Sequence, residues 1–319
     1  MKFANLTAND RSNGGVNKSR GMNIFISSCA VIVLAALLAL LLQSDSDASG
    51  SAKYFTDTVG DVFDEIGRTE FIVSESLLET LGKYRDIAPR IGKPVFKGSS
   101  EIAESLLELA DVASDAVTSI IAVGDGGKAL FRLFRWQLRE IIHIINNSKK
   151  NLDQEAIEDI RARITSVLRQ TEQLNEQIKD AGLRLKTVSN KQTWTLKRLH
   201  NGQYESKRSL EGALERNQNF LQFLFGDAVE RQLRRSELNE ILPLIDAMIG
   251  AVSEMNYDIP RLQKKVYEFR EAMKTLSSEL MHSTAHKGIT KITLEYLIDA
   301  LHIAEEKYYI SFRKRKTKD

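Results

Sequence analysis

The sequence predicts an all-α protein in which an N-terminal single transmembrane helix is followed by an elongated helical bundle with antiparallel coiled-coil segments. Three observations predict it. The run Ile24 to Leu42 holds nineteen residues without a charge. Ten positions from Ile157 to Val188 alternate spacings of three and four without a break. No stretch of useful length alternates apolar and polar residues with the period of two that a half-buried strand needs.

Composition sets the outer bounds. The 319 residues carry 45 Lys and Arg against 43 Asp and Glu, a net charge of +2, with 4 Pro and one Cys. One Cys excludes an internal disulfide framework and a Cys-rich zinc module, and few prolines leave room for long helices. Near-neutrality argues against a globally basic nucleic-acid binder. The balance is nonetheless a cancellation: residues 43–128 hold 8 cations and 16 anions, whereas residues 129–319 hold 33 and 26. Opposite charges of this kind suit docking of the two parts within one molecule or between molecules.

Residues 1–23 read as a cytoplasmic tail. Residues 24–42 read as a transmembrane signal anchor whose apolar face includes Ile24, Val31, Leu34, Leu38 and Leu42. Nineteen helical residues rise about 28 Å, close to the thickness of a bilayer's hydrocarbon core. Lys2, Arg11, Lys18 and Arg20 precede the run with only Asp10 against them, and Lys53 is the sole cation in the fifteen residues after it. This asymmetry predicts a cytoplasmic N-terminus and an extracytoplasmic body, in the secretory pathway or at the cell surface. Cys29 reads as a small apolar filler. Of three glycosylation triplets, Asn5 and Asn17 precede the anchor, and only Asn146 would face the lumen in a eukaryotic host.

A polar linker, residues 43–52, leads to the N-terminal helical part of the body, residues 53–148. Val59, Val62, Phe63 and Ile66, then Phe71, Leu77, Leu78 and Leu81, suggest two short helices with a break near Gly67. Pro89 and Pro94 predict a loop over Asp86 to Ser100. Ser99 or Ser100 then caps a helix with Glu101 and Glu104 in its first turn, ending at Gly124-Asp125-Gly126-Gly127. Ala129 to Ile145 is apolar over much of its circumference, with Arg132, Arg135 and Arg139 on one face, and reads as the buried centre of a bundle.

Residues 149–312 form the long-helix coiled-coil part, before a basic tail at 313–319. Its principal seam is Ile157, Ile160, Ile164, Val167, Thr171, Leu174, Ile178, Ala181, Leu185 and Val188. Arg161, Arg163 and Arg184 flank the seam with no acid, so a self-paired parallel dimer gains no complementary charges and an antiparallel partner within the chain is the easier solution. Three further seams supply candidates: Leu210, Leu214, Asn217, Leu221 and Leu224; Ile259 to Leu280; and Leu294, Leu297, Leu301, Ala304 and Tyr308. Asn201-Gly202, Gly226-Asp227 and His286-Lys287-Gly288 read as turns, Pro243 as opening or kinking a helix, and Pro260 as lying in a first turn.

Chemistry-bearing motifs are sparse. Val123 to Lys128 imitates a phosphate loop but has the wrong spacing and Ala129 where Ser or Thr belongs. Glu140 with His143, and Glu279 with His282, repeat the Glu-x-x-His spacing of di-iron bundles, which Glu104 or Glu108 and Glu237 or Glu240 would complete. His282 and His286 are also one helical turn apart. The sequence therefore leads to a non-catalytic membrane-anchored scaffold or interaction protein, with no cofactor, nucleic acid or small-molecule substrate. Its expected partners are the lipid bilayer and a helical protein or a second copy. Two further readings are a membrane-active protein inserting the apolar region 116–145, and a carboxylate/His metal-dependent bundle enzyme.

Overall fold

The computed structural model describes residues 53–68, 75–93, 96–148, 152–216, 227–286 and 291–316. The helices described below belong to one compact unit that begins at Tyr54. The expected anchor at Ile24–Leu42, with its tail and linker, lies outside the described residues. Among the described residues no helix is long and apolar enough to cross a membrane.

Six helices and no strand make up the described part of the body, so the all-α helical bundle expected from periodicity is what forms. They are α1 (residues 53–68), α2 (Glu75–Ile91), α3 (Ser99–Asn147), α4 (Gln154–Arg216), α5 (Asp227–His286) and α6 (Lys291–Lys316). At about 1.5 Å per residue, α4 and α5 each extend about 90 Å. Asp153 starts α4 by accepting the Ala156 amide at 2.8 Å on its side chain and the Ile157 amide on its carbonyl.

Helix α4 lies between α3 and α5 and runs antiparallel to both. Toward α3, Arg198 reaches the Glu101 carbonyl, Lys191 pairs with Glu108, and Arg163 bonds to Gln137. Toward α5, Gln203 bonds to Asn239, Asn256 to Ser189, and Arg270 to Glu172. The remaining position is filled by α1 and α2 in succession, both antiparallel to α3. Phe63 of α1 packs on Phe131 and Phe134 in the second half of α3, while Arg85 of α2 meets Asp111 in the first half. Helix α6 closes the α1 end: Tyr308 stacks on Phe131, and Arg135 and Arg139 converge on Glu305.

The seam of α4 is the spine of the core. Its members from Ile160 to Val188 are buried, with Ile157 half-buried at the start. Burial continues past the apolar pattern through Gln192, Thr195, Leu199, Gly202, Ser206 and Leu210. On α5 the run Ile259 to Leu280 is buried as expected, and it begins earlier, at Leu238 and Ile241. Leu297, Leu301, Ala304 and Tyr308 are buried on α6 with Leu294 half-buried. Of the Leu210–Leu224 seam, Leu210 is buried and the remaining side chains lie outside the described ones.

Several expected breaks are not breaks. Gly124, Gly126 and Gly127 lie inside the continuous α3, buried where neighbouring helices come close: a Cβ on Gly127 would stand 2.7 Å from Ile66 Cγ2. Asn201 and Gly202 likewise lie within α4, and Gly202 faces Ile102 and Phe96. Glycine marks a turn in an isolated sequence, but here it lets helices approach, and tertiary packing offsets its roughly 1 kcal/mol helix penalty. The loop expected over Asp86 to Ser100 is shorter, because α2 continues through Pro89 to Ile91. Neither serine caps α3. Gly98 does so with φ of 87°, a conformation that favours glycine, and Ser99 is buried behind it. Pro243 and Pro260 sit within the single helix α5, so Pro260 is not in a first turn.

Two buried polar groups stand out. Glu65 on α1 accepts a bidentate pair from Arg261 at 2.7 and 2.9 Å, which ties α1 to α5. The Tyr84 hydroxyl is fully buried and finds no hydrogen-bond partner among the described residues. Burial, with nearby Asp246 adding to it, pushes its pKa up.

On α4, Ile178→Ala is expected to cost about 2–5 kcal/mol in chemical denaturation, whereas exposed Leu183→Ala should change stability by about 0.5 kcal/mol or less. Similar losses for both would contradict the assigned seam. Because the Tyr84 pKa is raised in the folded state, its contribution is present below the unfolded value near 10 and is lost as pH climbs toward the folded one. Tyr84→Phe should therefore leave stability at pH 7 unchanged or higher and flatten its decline above about pH 10. A lower melting temperature at pH 7 would refute this account of the hydroxyl.

Candidate interaction surface

The apolar sequence features that first suggest a binding surface are used inside the body. The α4 seam residues are covered by α3 and α5. In the region 116–145, the side chains of Val117, Ile120, Val123, Leu130, Phe131, Phe134, Leu138 and Ile141 are all buried. Trp136 is exposed, with the Arg163 guanidinium 5.8 Å from its ring.

The possible metal ligands are separated or engaged. Glu140 lies 3.9 Å from Arg163, and the His143 ring nitrogen shares a 2.9 Å hydrogen bond with the Asn147 amide. Glu108 is paired with Lys191, and Glu237 with Arg234 and Arg90. Glu279 is half-buried, while the side chains of His282 and His286 lie outside the described ones. Among the described residues no group of three or more His, Cys, Asp or Glu is placed to hold a metal ion. Asn146, the glycosylation candidate, is exposed in the last turn of α3.

One surface cleft and one buried void lie where these helices pack. An open cleft of about 250 Å³ lies where Lys97, Gly98 and Glu101 meet Arg198, Asn201 and Glu205. Arg198 is committed there, donating to the Glu101 carbonyl at 2.8 Å and the Ser105 hydroxyl at 2.9 Å. A void of about 10 Å³ between α3, α4 and α5 is lined by aliphatic side chains and Met248 and Met255.

The charge asymmetry is partly spent on internal docking. Acidic residues of the first part meet basic residues of the second at Asp61–Lys265, Glu65–Arg261, Glu108–Lys191 and Asp115–Arg184. Asp180 bridges α4 to α3 by accepting from Arg184 at 2.8 Å and from the Ser119 hydroxyl at 2.9 Å. Those two bonds, the Arg184 bond first, hold its carboxyl below the usual range.

What remains on the outside is a set of exposed apolar side chains spread over all six helices, among them Tyr54 on α1, Tyr257 and Tyr267 on α5, and Tyr309 on α6. Leu183, Trp194 and Tyr204 project from α4, and Leu78, Leu107 and Ile121 from α2 and α3. Trp194 sits between two cations, Lys191 Nζ at 4.4 Å and the Arg198 guanidinium at 3.4 Å from its ring. The seam pattern passes over these residues because it selects the core-facing column of each helix. A search of the opposite columns for apolar residues would have found them. No protein-family model matches the chain and comparison with curated proteins finds no similar sequence, so the functional signal lies in its own residues.

Proposed function

We propose that this protein is a single-pass membrane-anchored helical scaffold that acts by protein interaction, without catalysis. The observation that carries the reading is where the apolar residues go. The seam and most apolar side chains of the 116–145 region are consumed in the bundle core, leaving a long body with a charged surface and exposed apolar side chains on each of its helices. Three helices of 49, 63 and 60 residues, packed along their lengths, suit a spacer or a display surface. The charge-free run Ile24 to Leu42 and its basic N-terminal flank support the anchor and its orientation.

The membrane-active alternative fits less well. Insertion of 116–145 would require Phe131 and Phe134 to leave an aromatic cluster with Phe63 and Phe269, and would uncover the α4 seam. A metal-dependent enzyme would need ligands gathered from residues that are engaged with Arg163, Lys191 and Arg234.

Protease digestion of intact membrane vesicles carrying a C-terminally tagged full-length chain tests the reading. The tag should survive external protease on vesicles that keep the cytoplasmic side outward, and the protein should resist alkaline carbonate extraction. In a eukaryotic host, Asn146→Gln should remove any glycosidase-sensitive shift. A tag digested from the cytoplasmic side, or a chain released by carbonate, would defeat the proposed anchoring.

A further inference from the structure

At the end of the body where α2 and α3 stop, α4 and α5 go on. Arg90, in the last turn of α2, lies 3.6 Å from Glu237 of α5, and the first turn of α3 stands against Arg198 and Gly202 of α4. Helix α4 continues from Gly202 to Arg216, roughly 20 Å. Helix α5 begins at Asp227 and returns beside it, with Arg231 donating to the Ser209 hydroxyl and Gln203 bonded to Asn239 at 3.0 Å. Among the described residues this far arm has two helices in cross-section, whereas the rest of the bundle surrounds α4 with α3, α5 and either α1 or α2.

Both arm helices carry a helix-weakening residue at the level where that support ends. The Gln203–Asn239 bond places Gly202 and Pro243 within about one turn of each other along the bundle. Pro243 has no N–H, so the Asn239 carbonyl lacks its helical donor and α5 bends most easily there. Pro243 is exposed, and a proline opens its own face of a helix, so bending carries the arm toward the bundle axis. Gly202 packs on Ile102 and Phe96, which gives α4 a fulcrum at the same level. The open cleft of about 250 Å³ lies in the angle between arm and body, with Lys97 and Glu101 on the body wall and Arg198 and Glu205 on the α4 wall. Arg198 is committed to the Glu101 carbonyl and the Ser105 hydroxyl, and the Glu101 carboxylate accepts from Ser100 at 3.2 Å. Lys97 and Glu205 are left, a cation and an anion on opposite walls with no ion pair among the described residues.

We infer that the arm of α4 and α5 beyond Gly202 and Pro243 is a hinged lid over this cleft, held closed by a Lys97–Glu205 ion pair that the present arrangement leaves open. Closure swings the far end of the α4–α5 hairpin across the start of α3 and shuts the cleft. The α4 seam stays intact in both states, because its buried members from Ile160 to Val188 lie on the body side of the hinge. The motion therefore leaves the core undisturbed and is governed by a surface charge contact, which salt screens. A scaffold built this way redirects its far end without unfolding. The inference adds a conformational control to the scaffold reading and stands on the body alone, so its test is independent of the anchor.

Distances between spin labels on the full-length Cys29→Ser protein in non-ionic detergent read the arm directly. Labels at Glu104→Cys of α3 and Arg208→Cys of the arm, both exposed positions, leave the cleft residues untouched. Two separations are expected, the shorter gaining population at low salt and losing it at high salt. Lys97→Glu should lower the ratio of short to long separation about fivefold, and Lys97→Glu combined with Glu205→Lys should restore it. Pro243→Ala returns the missing helical hydrogen bond and should leave only the long separation. Lys97 and Pro243 are exposed and Glu205 is half-buried, so unchanged circular dichroism is the expected control for folding. The proposal is overturned by a single separation in the wild type at every salt concentration, by folded charge variants that leave the ratio unchanged, or by a Pro243→Ala protein that keeps both separations. Failure of anchoring would show instead as carbonate release, with these separations unaffected.

Discussion

Burial of one continuous seam along α4 is the constraint to which the other helices answer. A 63-residue helix exposing Ile160, Ile164, Leu174, Ile178 and Leu185 to water would be both costly and adhesive. Each such side chain contributes about 1.5–3 kcal/mol when buried. Covering the seam requires neighbours of comparable length, and α3 and α5 are 49 and 60 residues long. Antiparallel chain connections supply them from the same molecule, and α1, α2 and α6 then close the sides these long helices leave open.

Polar contacts fix which of many possible helix alignments is adopted. Hydrophobic burial is non-directional, and a regular seam tolerates a slip of one heptad with little loss of apolar contact. Glu108–Lys191, Ser119–Asp180 and Gln137–Arg163 lie at successive levels of the α3–α4 pair and would all be lost together in a slipped register. Gly126 and Gly127 add a steric constraint, since the close approach of Gln177 and Ile66 exists only at their level. The polar interior positions Gln192, Thr195 and Ser206 continue the seam while weakening its apolar drive. They make the far end of α4 less interchangeable with the near end.

Much of this was legible from periodicity. The fold class and the α4 seam follow from spacings of three and four, and the antiparallel arrangement follows from the lack of acids beside Arg161, Arg163 and Arg184. Helix ends were harder to read. Gly124 to Gly127, Gly202, Pro89 and Pro260 carry local turn signals, yet all lie inside helices, and Gly126, Gly127 and Gly202 do so against side chains of other helices distant in sequence. The outer columns were legible in principle, yet Leu107 and Leu183 look like ordinary surface residues in the sequence. The exposed surface is therefore a product of tertiary placement, while the core is a product of local pattern.

The α4 seam is satisfied within one chain, so that association is left to the outer faces. Cysteine cross-linking measures this directly. In a full-length Cys29→Ser background, Asp115→Cys with Arg184→Cys replaces a pair that joins α3 to α4 across 3.4 Å. A short bis-maleimide, which replaces the reach of the Arg and Asp side chains, should give an internally cross-linked monomer at every protein concentration, including when the labelled chain is diluted with unlabelled chain. A cross-linked dimer that disappears on dilution would place the seam between molecules and contradict the structure's central claim.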